Sequence, residues 1–195
     1  KGDIMHFLEE LSHIFDIVAG EREIDFIVNL EDTEEEVWFS PSKLERILYN
    51  LLSNAFKYTQ PGGYVKLSAK LIKEEKGTFV QISVKDNGRG IPKEAQEQIF
   101  ESYYQVEKRD HREGFGLGLS LTRSLIHMHK GEIRVESEIN KGSDFIVTLN
   151  VSEDAYNPDE RSSENITTEE IQKYNQRIKE TIELIPEKLT NKEKD

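Results

Sequence analysis

Ile4, Phe7, Leu8, Leu11, Ile14, Phe15 and Val18 recur every three to four positions. That is the spacing of one helix face, so residues 3–19 predict an amphipathic helix. The period then changes to two. Ile24, Phe26, Val28 and Leu30 alternate with polar residues and predict a strand. An acidic turn at residues 31–36 leads to a short second strand at 37–39. Ser40-Pro41 is a helix start, because serine caps free backbone N–H groups and proline suits the first helical position. Leu44, Ile47, Leu48, Leu51, Leu52 and Ala55 mark that helix's buried face, and Gln60-Pro61-Gly62-Gly63 ends it.

Alternation returns at Val65, Leu67, Ala69 and Leu71, and again at Val80, Ile82 and Val84, with a polar hairpin loop at 73–77 between the two runs. A second hairpin is predicted from residues 131–138 and 143–151 around Asn140-Lys141-Gly142. Residues 117–129 have helical period and lie between a glycine run and that hairpin. Mixed strands and helices of this kind argue for an α+β protein: a two-layer sandwich in which helices cover one face of a mixed sheet. Residues 152–166 are polar and turn-rich and read as a linker. Thr167-Thr168-Glu169-Glu170 matches a capping box, followed by Ile171, Tyr174, Ile178, Ile182 and Ile185 on one helical face.

Composition narrows the function classes. The chain has 195 residues, room for one domain plus extras and a real core. It carries a net charge of −12 with no local basic stripe, which argues against nucleic acid as the main partner. It has no cysteine, hence neither a disulfide framework nor a thiolate metal site. No apolar run approaches the roughly 18 residues of a membrane span, and no signal peptide is visible. The first residue is Lys1, so a fragment of a longer protein is expected.

Four short motifs follow one another. They are Asn50-Leu51-Leu52-Ser53-Asn54-Ala55-Phe56-Lys57-Tyr58-Thr59, then Val84-Lys85-Asp86-Asn87-Gly88-Arg89-Gly90-Ile91-Pro92, then Ile99-Phe100-Glu101-Ser102-Tyr103-Tyr104, and finally Gly114-Phe115-Gly116-Leu117-Gly118-Leu119. Each alone is weak: a polar helix stripe is what any surface helix shows, and Asp-Asn-Gly is ordinary turn chemistry. In this order they resemble the nucleotide-binding domain of sensor histidine kinases, within the GHKL (Bergerat-fold) ATPase and kinase family. The resemblance covers roughly residues 20 to 151. It implies three parts: residues 1–20 as the end of a dimerisation helix, 21–151 as the ATP-binding catalytic domain, and 152–195 as an acidic linker with an amphipathic helix.

The resemblance also implies residue roles. Asn54 would bind Mg²⁺ through its side-chain oxygen, and one protein ligand suffices because Mg²⁺ takes its other ligands from phosphates and water. Lys57 would approach phosphate and Tyr58 would lie against adenine. Asp86 would accept a hydrogen bond from the adenine amino group, with Gly88 and Gly90 admitting the base and Ile91 covering it. Gly114, Gly116, Leu117, Gly118 and Leu119 would meet the phosphates at a helix start, where backbone N–H groups favour anions. Phe115 departs from the small or polar residue usual between the first two glycines. Residues 101–115 would form a lid over ATP, with Lys108, Arg109, His111 and Arg112 inside it.

Asn50 discriminates between branches of the family. ATP-hydrolysing relatives such as DNA gyrase and the large heat-shock chaperones place a glutamate there to activate water. An amide is a poor general base, so Asn50 favours phosphotransfer to histidine over hydrolysis. None of His6, His13, His111, His127 and His129 has the sequence context of a phosphoacceptor, which points to an acceptor helix upstream of this chain. The implied cofactors are ATP and Mg²⁺. The implied partners are the histidine-bearing dimerisation helices of a homodimeric parent and the receiver domain of a response regulator, carried on the same polypeptide if the parent is a hybrid sensor. The implied location is a cytoplasmic domain of a membrane-anchored parent. A GHKL-type ATPase and a non-catalytic nucleotide-binding module remain as alternative readings.

Overall fold

The structure is a computed structural model of the chain; it describes residues 1–101, 104, 118–162, 166–167, 169–174 and 176. A five-stranded mixed sheet forms one layer. Its strands are β2 (Asp25–Leu30), β4 (Tyr64–Glu74), β5 (Gly77–Asp86), β6 (Glu132–Glu138) and β7 (Gly142–Asn150), in the spatial order β2-β4-β5-β7-β6. Only β2 and β4 run parallel; the other neighbours are antiparallel. Period-two alternation sends Val65, Leu67 and Ala69, then Val80, Ile82 and Val84, then Phe145, Val147 and Leu149 to the same buried face. The second layer lies against that face: α1 (Ile4–Ser12), α2 (Ile14–Glu21), α3 (Pro41–Tyr58) and α4 (Gly118–Met128). The expected α+β sandwich is thus the observed one.

Helix α3 carries the packing. Leu44, Ile47, Leu48, Leu51, Leu52, Ala55 and Phe56 are all buried, one continuous stripe at helical spacing. Phe56 stacks on Phe15 with ring centroids 5.7 Å apart and meets Phe26 edge-on at 5.3 Å. Such aromatic pairs add about 0.5–1.5 kcal/mol beyond the area they bury. Arg22, just past α2, donates to the Phe56 carbonyl at 3.0 Å and so ties α2 to the last turns of α3.

The N-terminal segment differs from its sequence expectation. Residues 3–19 form two short helices with a turn at His13, and Ile4, Phe7, Leu8, Leu11, Ile14, Phe15 and Ala19 all enter the core of this same domain. Gly2–Asp3, here β1, pairs with Glu36–Val37, β3. Apolar side chains already packed against α3 and β2 leave only Ile17 as a large exposed hydrophobic on α2. The segment packs into the same core as α3 and the sheet.

The segment after β7 also differs from a free linker. The Tyr156 hydroxyl donates to the Asn150 carbonyl at 2.7 Å, and burial pushes its pKa up to about 12. Arg161 donates twice to the Tyr156 carbonyl and once to Glu153, with its guanidinium over Trp38. The Ile166 N–H reaches the Lys1 carbonyl at 2.9 Å. The capping box is present: Thr167 N–H donates to Glu170 at 2.9 Å, and Glu170 N–H to the Thr167 hydroxyl at 3.2 Å. Ile171 is then buried, and Tyr174 meets Phe7 edge-on at 5.8 Å. Ile178, Ile182 and Ile185 lie outside the described residues.

His129 closes the base of α4 against α3. It is 1% exposed, and its Nε2 accepts the Ser40 backbone N–H at 2.8 Å. Ser40 does cap α3 by position, but its side chain makes no capping bond. Burial lowers the His129 pKa from 6.5 to about 4, helped by the charge of Lys43. The unfolded chain therefore binds a proton on this residue at a pH where the folded protein does not. Its stabilisation is complete above pH 6.5 and is lost as pH falls toward about 4. Urea titrations across that window should show the wild type losing on the order of 2–3 kcal/mol more than His129→Gln, which keeps an acceptor without a titrating group. Equal slopes for the two proteins would refute a buried neutral imidazole.

Candidate functional site

The site begins where the apolar row of β5 stops being apolar. Val80, Ile82, Val84 and Asp86 face the helix layer in succession, so strand alternation carries a carboxylate into the position a fourth apolar residue would take. Asp86 is 5% exposed. Burial raises its pKa above the ordinary aspartate value, and the nearby charge of Asp144 adds to this; the backbone N–H groups of Gly88 and Ser143 oppose it. The Gly88 N–H lies 2.8 Å from Oδ1. A carboxylate that is desolvated yet keeps acceptor capacity is poised for an N–H donor from a ligand.

The turn after β5 is set by close approaches. A Cβ on Gly88 would collide with the Tyr58 carbonyl at the end of α3. Gly90 sits at φ +69°, and a Cβ there would meet the Glu138 carbonyl. Asn87 extends the β4–β5 pairing: its side-chain oxygen accepts the Tyr64 N–H at 2.7 Å. The Ile91 N–H is held by the Ser137 hydroxyl at 2.8 Å, and Gln96 donates to the carbonyls of both Ile91 and Ser137. The two glycines therefore let the turn press between α3 and the β6–β7 hairpin, leaving Asp86 beneath it.

The polar stripe of α3 lies on the opposite side from its leucines. Asn54, Lys57 and Tyr58 are half-buried. The Lys57 ammonium is 5.1 Å from the Tyr58 ring centroid and the Arg89 guanidinium is 4.2 Å from it. Asn50 has a specific structural connection: its side-chain amide donates to the Thr122 hydroxyl at 3.0 Å and to the Gly118 carbonyl at 3.4 Å. Thr122 is fully buried and donates onward to the Gly118 carbonyl at 2.9 Å. The first turn of α4 is thereby fixed to the middle of α3. An amide whose N–H₂ is committed to these oxygens orients its neighbours and offers no base.

Asn50, Asn54, Lys57, Tyr58, Asp86, Gly88, Gly90 and Ile91 thus fall along the C-terminal half of α3 and the turn that touches its end. Gly118 and Leu119 stand at the start of α4. Gly118 has open space where a Cβ would be, and Leu119 is half-buried against the core. Gly114, Gly116 and Leu117, with Tyr103, Lys108, Arg109, His111, Arg112 and Phe115, lie outside the described residues. Phe100 meets Phe145 edge-on at 6.3 Å, with Arg123 of α4 over its ring. The motifs assign no role to three contributors. Thr122 supports Asn50, Ser143 faces Asp86 across the β5–β7 ladder, and Arg89 covers Tyr58. Strand register would have found Ser143; the other two depend on contacts distant in sequence. Among the described residues no group of three His, Cys, Asp or Glu side chains could hold a metal unaided.

Comparisons with known proteins give the family and the fold. Residues 39–153 match the family described as histidine kinase-, DNA gyrase B-, and HSP90-like ATPase. The adaptive-response sensory kinase SasA of Synechococcus sp. (strain JA-2-3B'a(2-13)) is 39% identical over 134 residues, covering 69% of this chain and 34% of that protein. Histidine kinase P4 of Formosa agariphila is 30% identical over 204 residues, covering all of this chain and 14% of that protein. The chain thus spans about a third or less of these relatives. Among solved structures, full-length ShkA in complex with AMPPNP superposes with a TM-score of 0.68 at 28% identity, covering 77% of this chain and 30% of that one. With the family match covering more than half of its length, the chain belongs to the histidine kinase-, DNA gyrase B- and HSP90-like ATPase family, and carries the catalytic domain that sensor histidine kinases share.

Proposed function

We propose that this chain binds Mg–ATP between the second half of α3, the turn after β5 and the start of α4, and presents the γ-phosphate to a histidine on dimerisation helices outside it. The observation that carries the reading is Asp86: a buried carboxylate under a turn that only glycine at 88 and 90 allows. Its free acceptor capacity fits the amino group of adenine and disfavours guanine, whose keto oxygen would face it. Tyr58 and Ile91 would wall the base. Lys57 would neutralise phosphate charge, as would the backbone N–H groups opening α4 with Gly118 and Leu119; Gly114, Gly116 and Leu117 would add to these. Asn54 would give its side-chain oxygen to Mg²⁺. The ion, when bound, neutralises charge across the phosphates.

The chain's own contribution is positioning and charge placement, the usual protein share in phosphoryl transfer. Asn50 keeps α4 in register with α3 and supplies no base to activate water. A histidine acceptor needs none, since a neutral imidazole is already a nucleophile. The phosphate would then pass to the aspartate of a receiver domain. The chain matches a much longer histidine kinase along its whole length and spans 14% of it, which fits a longer parent; in a hybrid sensor that parent would include a receiver domain. We place the domain in the cytoplasm, where ATP is available, as part of a membrane-anchored parent. No helix among the described residues is long and apolar enough to cross a membrane.

Asp86→Asn should weaken ATP binding roughly ten- to a hundred-fold, the worth of a hydrogen bond to a charged group, and should relax discrimination against GTP. Its thermal midpoint should stay level with the wild type or rise, because the amide relieves the desolvation cost that raises the carboxyl pKa. The folded protein holds that proton more tightly than the unfolded chain. Asp86's contribution to stability therefore declines as pH rises from the ordinary aspartate value through the raised one, and is level above it. Calorimetric titration with both nucleotides and a melting curve decide the matter; unchanged affinity would remove Asp86 from the site.

Asn54→Ala should cut Mg–ATP affinity at least about ten-fold and make what remains insensitive to chelation of Mg²⁺. Incubated with γ-labelled Mg–ATP, the wild-type chain should leave the nucleotide intact. Release of free phosphate that Asn54→Ala abolishes would place the chain among the hydrolysing members of the family.

A further inference from the structure

Four of the five positions in the turn after β5 are dictated by its backbone. Asp86 ends the inward row, the Asn87 side chain substitutes for a strand partner, and Gly88 and Gly90 exist because a Cβ would strike a carbonyl. Arg89 is the exception. Its main chain is held at both ends, the N–H by the Tyr58 carbonyl at 3.4 Å and the carbonyl by the Asn140 N–H at 2.8 Å. Any residue could make those two bonds. The side chain found there is exposed at the residue level, yet its guanidinium lies over the Tyr58 ring, 4.2 Å from the centroid. A planar guanidinium on an aromatic face combines stacking with cation–π attraction.

The same ring carries a second cation, the Lys57 ammonium at 5.1 Å. The two differ in geometry: the flat Arg89 guanidinium lies nearer the ring centroid, whereas the Lys57 ammonium is a compact point charge farther out. Two positive groups on one ring repel each other, so moving one of them to a phosphate relieves that repulsion. Removing both would leave the ring with neither cation on its face.

We propose that Arg89 is a positioning residue for nucleotide binding: it pins the Tyr58 ring as a wall of the base site and so leaves Lys57 able to quit that ring for the phosphates. The inference rests on the nucleotide site proposed above. Arg89 acts through Tyr58, so its effect belongs to the base and is independent of the phosphates. Lys57 has the opposite dependence.

Calorimetric titration of the full chain with adenosine and with Mg–ATP separates the two. Arg89→Ala should weaken both ligands by the same factor, about 2- to 5-fold, the size of an exposed cation–π contact. Arg89→Lys should recover part of that loss, because an ammonium keeps the charge but not the flat stacking. Lys57→Ala should weaken Mg–ATP and leave adenosine unchanged. In NMR spectra the Arg89 side-chain protons should show an upfield ring-current shift that Tyr58→Leu abolishes, a signature that a purely electrostatic role would not produce. Loss of ATP affinity alone in Arg89→Ala would mean that the guanidinium meets phosphate directly, and would overturn the proposal. So would unchanged affinity for both ligands. Failure of the wild type to bind adenosine or ATP would instead remove the nucleotide site itself, and this role with it.

Discussion

The arrangement depends on keeping one carboxylate out of water. Asp86 closes a strand row that is otherwise valine and isoleucine, and its pKa rises because burial penalises the charge. Two backbone N–H groups, from Gly88 and Ser143, offset part of that penalty. Their geometry is available only because the chain on either side lacks side chains. A Cβ on Gly88 would strike the Tyr58 carbonyl, and one on Gly142, at φ +98°, would strike the Asp86 carbonyl itself. The end of β5, the end of α3 and the β6–β7 turn are thus fitted to one another around a group that destabilises the fold. A buried charge held by incomplete compensation, beside a turn of this tightness, is the usual mark of a ligand site.

Helix α3 connects that constraint to the rest of the domain. Its apolar face makes the core with β4, β5 and the N-terminal helices, so its position is set by packing. Its polar face then has no freedom. Asn50, Asn54 and Lys57 project where the leucine stripe dictates, and Tyr58 ends beneath the turn that holds Asp86. Through Asn50, Thr122 and the Gly118 carbonyl the same helix also fixes where α4 begins. One amphipathic helix therefore sets the distance between the turn that holds Asp86 and the start of α4. The residue making that link is an amide in the place where hydrolysing relatives keep a carboxylate, so the structural tie and the absence of a base come from the same side chain.

Much of this was legible before any coordinates. Alternation marked Val80, Ile82 and Val84 as one row, which the structure extends to Asp86; helical period placed the asparagines opposite the leucines, and Asn140-Lys141-Gly142 marked the β6–β7 turn. Local pattern was less informative wherever the partner was distant. The spacing of Ile4 to Val18 is equally good for a free amphipathic helix and for one packed on its own sheet. Only Phe15 on Phe56 and Phe7 against Tyr174 decide between them. Residues 152–166 are polar enough to read as a linker. Tyr156 and Arg161 nonetheless find backbone carbonyls, and polar composition does not encode that. His129 looks like an ordinary helix-end histidine until Ser40, 89 residues away, donates to it.

An overall charge of −12 opposes an anionic ligand at long range, and distance resolves the conflict. At physiological salt, charges are screened over about 8 Å, so acids spread over the surface contribute little at the site. The cations that matter are those at contact range. Lys57 and Arg89 both lie within 5.1 Å of the Tyr58 ring centroid, where partial burial of the ring lowers the local dielectric and strengthens each interaction. The dispersed negative charge then acts mainly on long-range encounter and on solubility. Two basic side chains share one aromatic surface at the end of α3, and that sharing requires a turn tight enough to bring residue 89 back over residue 58. The glycines that leave room for Asp86 also place Arg89 over Tyr58, so the buried carboxylate and the covered ring follow from a single backbone path.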